Sequence, residues 1–236
     1  MDLKEMELLG DSLEDHFYYV SKGKALYSII KKYRAKTILD IGAGSGLFSK
    51  QLLSTGTFRY AVCLDIGYTH EYTEIYKDRP VTFVKSIDDL SQDVVLMMDV
   101  LEHVTDDQNF LSHYVSKMKL GTKVLITVPA FQFLWSDHDL FLEHKRRYNT
   151  QNLKMLVESS GLRIIKIRYF FAVLFPVVAL LRIFKSKSSA PKSELKNYPF
   201  ILNRILVFIH DIERFILLPI NSLAGLTIFC LAEKVK

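Results

Sequence analysis

The sequence has little cysteine. Only Cys63 and Cys230 occur in 236 residues, each inside an apolar run. Two thiols cannot build a disulfide framework, and they fit a reducing compartment. A strong charge bias is also missing. Lys and Arg number 31 against 26 Asp and Glu, a formal net charge of +5, too weak to indicate a nucleic-acid partner. No uniformly apolar run reaches the ~20 residues that a bilayer crossing needs. The opening Met1-Asp2-Leu3-Lys4-Glu5 has no apolar stretch of the secretory kind, so a cytoplasmic location is expected. Glycine and proline, at 10 and 6 residues, exclude a collagen-like chain, and 49% hydrophobic residues exclude a disordered one. The length suits one large α/β domain, or a domain of about 150–180 residues with an elaboration.

What the chain does have is a regular alternation of short apolar runs and polar, helix-forming stretches. Strands are predicted at 37–41, 60–65, 81–84, 94–98, 123–128, 162–169 and 226–233. Helices are predicted at 21–33, 47–54, 107–118 and 150–161, the last ending on Gly161, which suits a left-handed C-terminal position. Residues Val94 to Met98 are apolar throughout, as a strand buried on both faces must be. The alternation predicts an α/β fold with a doubly wound, mostly parallel sheet of seven strands whose last strand is antiparallel. Such sheets bind ligands beyond the carboxyl ends of their strands, where the strand order reverses.

The strongest motif is Ile38-Leu39-Asp40-Ile41-Gly42-Ala43-Gly44-Ser45-Gly46. A buried strand runs into a glycine turn and then a helix, so a ligand can approach the backbone closely. The G-x-G-x-G spacing is not the dinucleotide G-x-G-x-x-G, and no Gly-Lys-Ser/Thr follows as a phosphate loop requires. Asp65 ends the next strand, where a carboxylate can accept hydrogen bonds from both hydroxyls of a ribose.

These residues resemble motif I and the acidic residue of the class I S-adenosylmethionine-dependent methyltransferases, which have a Rossmann-like sheet. The segment Met97-Met98-Asp99-Val100-Leu101-Glu102-His103-Val104 and the unit Met118-Lys119-Leu120-Gly121 before strand five are similar to the same family. The resemblance spans Tyr33 to Tyr169, and Glu14 to Tyr19 resembles the aromatic lid of one bacterial subgroup. It implies that Gly42, Gly44 and Gly46 line the methionine part of S-adenosylmethionine. It also implies that Asp40 holds the turn, Asp65 and its neighbour Ile66 take the ribose side, Ser86 and Ile87 flank the adenine, and Met98 lies beside the methionine. Lys22 or Lys24 is a candidate partner for the cofactor carboxylate, or a solvated face.

Asp99-x-x-Glu102-His103 is similar to a cluster in the quinone-biosynthesis O-methyltransferases, some of which hold a divalent metal there. Residues i and i+3 share one side of a helical turn. Asp99, Glu102 and His103 are therefore candidate ligands for Mg²⁺, Mn²⁺ or Zn²⁺, or else a capping acid and a structural histidine. After strand five, the segment Pro129 to Tyr148 holds two His, three acids, three basic residues and the only Trp. His144, His138 and His103 are candidate general bases, since imidazole titrates near neutrality. His144, Arg146 and Tyr148 resemble a His-x-Arg-x-Tyr segment of the same subgroup. Arg146 and Arg147 either recognise an acidic group on the acceptor or are solvated.

From Tyr169 the character changes. Tyr169 to Leu181 carries no charge, while Phe200 to Leu218 is apolar with scattered polar residues. From Arg182 to Lys196 five basic residues stand against one acid, a local +4. The chain is thus divided into residues 1–170 and 225–236, a cofactor-binding domain, and 171–224, a helical hairpin insertion. Amphipathic helices beside a basic cluster suit an anionic membrane. The expected function is O-methylation of a lipidic, quinone-like or lipid-linked glycan acceptor by a peripheral protein on the inner face of a membrane. The alternatives are a soluble small-molecule methyltransferase whose hairpin forms a homodimer interface, and a non-catalytic cofactor-binding scaffold. No nucleic-acid partner is expected.

Overall fold

A computed structural model describes residues 10–88, 90–184, 193 and 196–235. Helix α1 (Phe17–Ile30) leads into β1 (Thr37–Ile41), α2 (Leu47–Ser54) and β2 (Tyr60–Leu64). The chain continues through β3 (Tyr72–Tyr76), β4 (Arg79–Val84), β5 (Val94–Met98) and α3 (Asp107–Lys117). Next come β6 (Lys123–Pro129), α4 (Asp137–Phe141), α5 (Thr150–Ser159) and β7 (Leu162–Phe170). Helices α6 (Phe175–Phe184) and α7 (Phe200–Ile216) precede β8 (Thr227–Lys234).

The strands form one sheet in the order β3-β4-β2-β1-β5-β6-β8-β7. Strands β4, β2, β1, β5 and β6 run parallel; β8 lies antiparallel between β6 and β7, and β3 is antiparallel on the outer edge. The order reverses between β1 and β5, which opens a crevice at their carboxyl ends. Every residue of β5 is buried, and two apolar clusters, one on each face, sandwich the sheet.

Among the described residues the sheet has eight strands where seven were expected. The additional strand, β3, pairs with β4 through a turn in which both Lys77 and Asp78 have positive φ, 47° and 61°. A two-residue hairpin needs that geometry, but Asn-Gly or Asp-Gly ordinarily announces it. The first helix starts four residues earlier than predicted, because the His16 imidazole accepts the Tyr18 N–H and caps it. The segment resembling a lid runs into the start of α1, with Phe17 and Tyr19 in the interior.

The region 171–224 holds two helices, and among the described residues their main contacts are with other elements. Helix α7 packs along α1, and α6 packs on the turn at Gln132–Leu134. Most of the basic linker between them lies outside the described residues. Among the described residues, no helix is long and apolar enough to cross a membrane.

Candidate active site

Strand β1 delivers the glycine turn. Gly42, Gly44 and Gly46 all have positive φ, at 69°, 54° and 72°. A Cβ on Gly42 would lie 2.7 Å from a Val100 methyl, and one on Gly46 would lie 3.0 Å from Cys63 Sγ, so neither position has room for a side chain. Beneath the turn, Asp40 is buried and accepts a hydrogen bond from Ser49 Oγ at 2.9 Å. Burial pushes its carboxyl up to about 6, against the opposing effect of the Ser49 bond. Asp65 accepts from Gly44 N and Gly67 N, each at 2.9 Å. The Tyr68 hydroxyl donates to Gly44 O at 2.6 Å, tying the loop after β2 to the turn.

A cleft of about 590 Å³ opens above these residues. Gly42, Asp65 and Ile66 line one part, and Asp99, Val100, His103, Phe110, Tyr114 and Glu143 line the rest. Ile66 is 88% exposed. Two of the lining residues, Asp99 and Glu143, have φ of 56° and 59° without being glycine. Such strained backbone is tolerated mainly where the surrounding structure enforces it.

Asp99 is held from below by Lys22. The Lys22 ammonium is fully buried, pairs with Asp99 and lies 3.2 Å from the Tyr18 hydroxyl. Burial alone would lower the lysine, but the facing carboxylate outweighs it and raises the lysine above its ordinary range. Burial would likewise raise Asp99, yet the ammonium holds it below the usual carboxylate range. Thr127 Oγ1 donates to the other oxygen of Asp99 at 3.0 Å.

Glu102 lies in the short turn that follows β5. It is buried, and neither side-chain oxygen has a hydrogen-bond partner among the described residues. Burial first, and the negative charge of Asp99 second, raise its carboxyl well above the ordinary range. One atom each from Glu102, His103 and His144 lie within 4.8 Å of one another. The rings of His103 and His144 meet edge to face with centroids 4.7 Å apart. The backbone closes the group, since Lys145 N donates to Glu102 O at 2.6 Å.

His144 is oriented by Asp139. Nδ1 lies 2.9 Å from Asp139 Oδ1, which also accepts from Arg147 Nε at 2.7 Å. The other Asp139 oxygen accepts from Ser136 N at 2.8 Å and closes the capping box of α4. Burial would raise Asp139, but the His144 bond and the Arg147 charge depress it far below the usual range. Asp139 is therefore a carboxylate that only accepts, so His144 Nδ1 carries the proton. In the neutral ring, Nε2 keeps its lone pair.

A family profile described as a methyltransferase domain matches residues 14–167. The chain belongs to the methyltransferase-domain family. The ubiquinone biosynthesis O-methyltransferase of Paramagnetospirillum magneticum is 34% identical over 104 residues, 40% of this chain and 41% of that protein. The chain thus matches about two-fifths of that relative's length. The crystal structure of an S-adenosylmethionine-dependent methyltransferase from Archaeoglobus fulgidus superposes with a TM-score of 0.50 at 20% identity, over 90% of this chain and 92% of the other. The Burkholderia thailandensis 1,6-didemethyltoxoflavin-N1-methyltransferase, solved with S-adenosylhomocysteine bound, has a TM-score of 0.55 at 14% identity, covering 99% and 83%. These structures share the fold.

Within this member of the methyltransferase-domain family the candidate residues separate into groups. Gly42, Asp65, Ile66, Asp99 and His103 line the cleft together. Met98 is buried beneath it, its sulfur 3.9 Å from Thr127 Oγ1. Ser86 and Ile87 are not among the lining residues: Ser86 is exposed and Ile87 packs against the core, and Phe110 and Tyr114 of α3 line the cleft. Asp99 is absent from the three-residue ligand cluster, where His144 takes its place. His138 lies on α4, outside both the cleft lining and the cluster. Lys24 pairs with Asp211 of α7, not with the cleft. Arg146, its side chain about one-third exposed at 34%, binds Asp107 and the Thr105 carbonyl, and the Arg147 side chain is buried on Asp139. Asp139 was not singled out as a functional residue. The Ser136-x-x-Asp139 spacing, which marks a helix start, was its sequence signal.

Proposed function

We propose that the protein transfers a methyl group from S-adenosylmethionine to a hydroxyl oxygen of a lipidic, quinone-like or lipid-linked glycan acceptor at a membrane surface. The observation that carries this reading is one cleft that joins Gly42 of the glycine turn and Asp65 to His103, with the Asp139-oriented His144 beside it.

In this reading the ribose binds Asp65, and the turn of Gly42, Gly44 and Gly46 faces the methionine. Asp40 supports that turn from beneath. The adenine lies between Ile66 and the wall of Phe110 and Tyr114. The sulfonium is already electrophilic, so the protein's task is alignment of nucleophile, methyl and sulfur, together with removal of one proton. His144 Nε2 takes that proton, and Asp139 stabilises the resulting imidazolium, as the acid of a hydrolase triad does.

A second reading is favoured by the unpartnered oxygens of buried Glu102. Glu102, His103 and His144 offer one carboxylate and two imidazoles, a donor set suited to Mn²⁺ or Zn²⁺. Asp139 would then orient a ligand from behind. When bound, such an ion lowers the pKa of an acceptor hydroxyl.

The test is calorimetric titration with S-adenosylhomocysteine, combined with a methyl-transfer assay on a catechol or quinol with and without chelator. Binding lost in Asp65→Ala, and turnover lost in His144→Ala with binding retained, support the reading. Chelator-insensitive turnover removes the metal. A folded wild type that binds no S-adenosylhomocysteine overturns the assignment of the cofactor site.

A further inference from the structure

Helix α7 is amphipathic in the wrong sense for a water-facing helix. Its inward face carries Asn203, His210 and Glu213. Asn203 accepts from Phe17 N and donates to Asp15 O, each at 2.8 Å. Glu213 binds His210 Nδ1 at 2.7 Å and Ala172 N at 2.6 Å, and both His210 and Glu213 are buried. These polar groups fasten α7 to the domain. The outward face carries Ile201, Ile205, Phe208, Ile212, Phe215 and Ile216, spaced along one stripe of a 3.6-residue helix. Ile201 is 73% exposed, Phe208 64% and Phe215 68%. Ile220 and Leu223, just beyond the helix, extend the exposed apolar surface. A helix with its polar groups turned in and its Phe and Ile turned out is not built to meet water.

We propose that this stripe is the membrane-docking surface of the protein, lying in the plane of an anionic bilayer interface. The inference rests on the membrane-surface reading above and names the face that carries it. The charges choose between occupants. Arg204 and Arg214 flank the stripe, and the acid beside them, Asp211, is already paired with Arg214 and with Lys24 of α1. Arg204 lies over the Phe200 ring, and Arg214 over the Phe215 ring at 4.1 Å. Both arginines thus sit beside the aromatic groups that would enter the lipid, as snorkelling side chains do. The sequence from Arg182 to Lys196 adds a local +4. A second copy docking on this face would set the same basic surplus against itself, since the acid there, Asp211, is already paired. Anionic headgroups supply the missing charge.

The experiment is co-sedimentation of the full chain with phosphatidylcholine vesicles, with and without about one-third phosphatidylglycerol. The expected result is pelleting with the anionic vesicles, weakened by high salt, and a fall of about tenfold or more in the bound fraction for Phe208→Glu/Ile212→Glu. S-adenosylhomocysteine binding should stay unchanged in that variant, because neither residue touches the cleft. Wild type that stays in the supernatant with both vesicle types overturns the proposal. So does a concentration-dependent dimer that the same variant dissociates while vesicle binding is absent. Failure of the cofactor reading would show separately, as wild type that pellets with vesicles but binds no S-adenosylhomocysteine.

Discussion

Asp139 holds His144 by one carboxylate oxygen, 2.9 Å from Nδ1, while its other oxygen caps α4. One side chain thus both folds the loop after β6 and sets the tautomer of the histidine it faces.

Asp139→Asn should lower turnover by about 100-fold or more, because an amide can present its N–H to Nδ1 and leave the proton on Nε2. Affinity for S-adenosylhomocysteine should hold, since Asp139 lies outside the cleft lining. Steady-state kinetics with parallel calorimetry separates the two. Equal loss of binding and turnover would make Asp139 a folding residue only.

Lys22 and Asp99 form a pair in which the lysine is fully buried. Lys22→Met leaves the carboxylate without its ammonium and should cost about 3 kcal/mol in urea unfolding. Removing the charge as well, in Lys22→Met/Asp99→Asn, should restore part of that loss. A double variant no more stable than the single would show that the pairing does not set the cost.

Asp40 makes stability depend on pH. Its folded-state carboxyl is raised to about 6 from an ordinary 3.8. The neutral form is therefore favoured by folding. This contribution is complete below the unfolded value and disappears as pH rises through about 6. Relative to wild type, Asp40→Asn should gain on the order of 2 kcal/mol between pH 4 and pH 7. Denaturant unfolding across that range measures it, and parallel curves for the two proteins would contradict it.

Gly42→Ala should weaken S-adenosylhomocysteine binding by at least about tenfold and lower thermal stability. Its φ of 69° disfavours any Cβ, and the added atom would meet Val100 at 2.7 Å. Calorimetry and a thermal melt test this together. Unchanged affinity would remove Gly42 from the cofactor site.

The central strands and the glycine turn were legible because burial on both faces leaves a continuous apolar run, and a close backbone approach demands glycine. Strand β3 was not. It is an edge strand with a mixed surface, and its turn uses Lys77 and Asp78 where glycine would have signalled it. The meeting of Glu102, His103 and His144 was only partly legible. Glu102 and His103 are adjacent in sequence, but His144 arrives from the loop after β6, and no local spacing predicts that meeting. Asp99 shares the i, i+3 relation with Glu102, yet its positive φ and Lys22 take it elsewhere. Lys22 itself lies 77 positions before the carboxylate it neutralises.

Strand β8 has a consequence in time. It fills the slot between β6 and β7 and hydrogen-bonds to both, yet it is synthesised after every other strand. Until it emerges from the ribosome, β6 and β7 each have an unmet edge, and the region 171–224 must already have been laid aside. Edge-to-edge association is the hazard of that interval. The nascent chain should therefore depend on chaperones until residues 227–234 clear the exit tunnel, and acquire protease resistance in one late step.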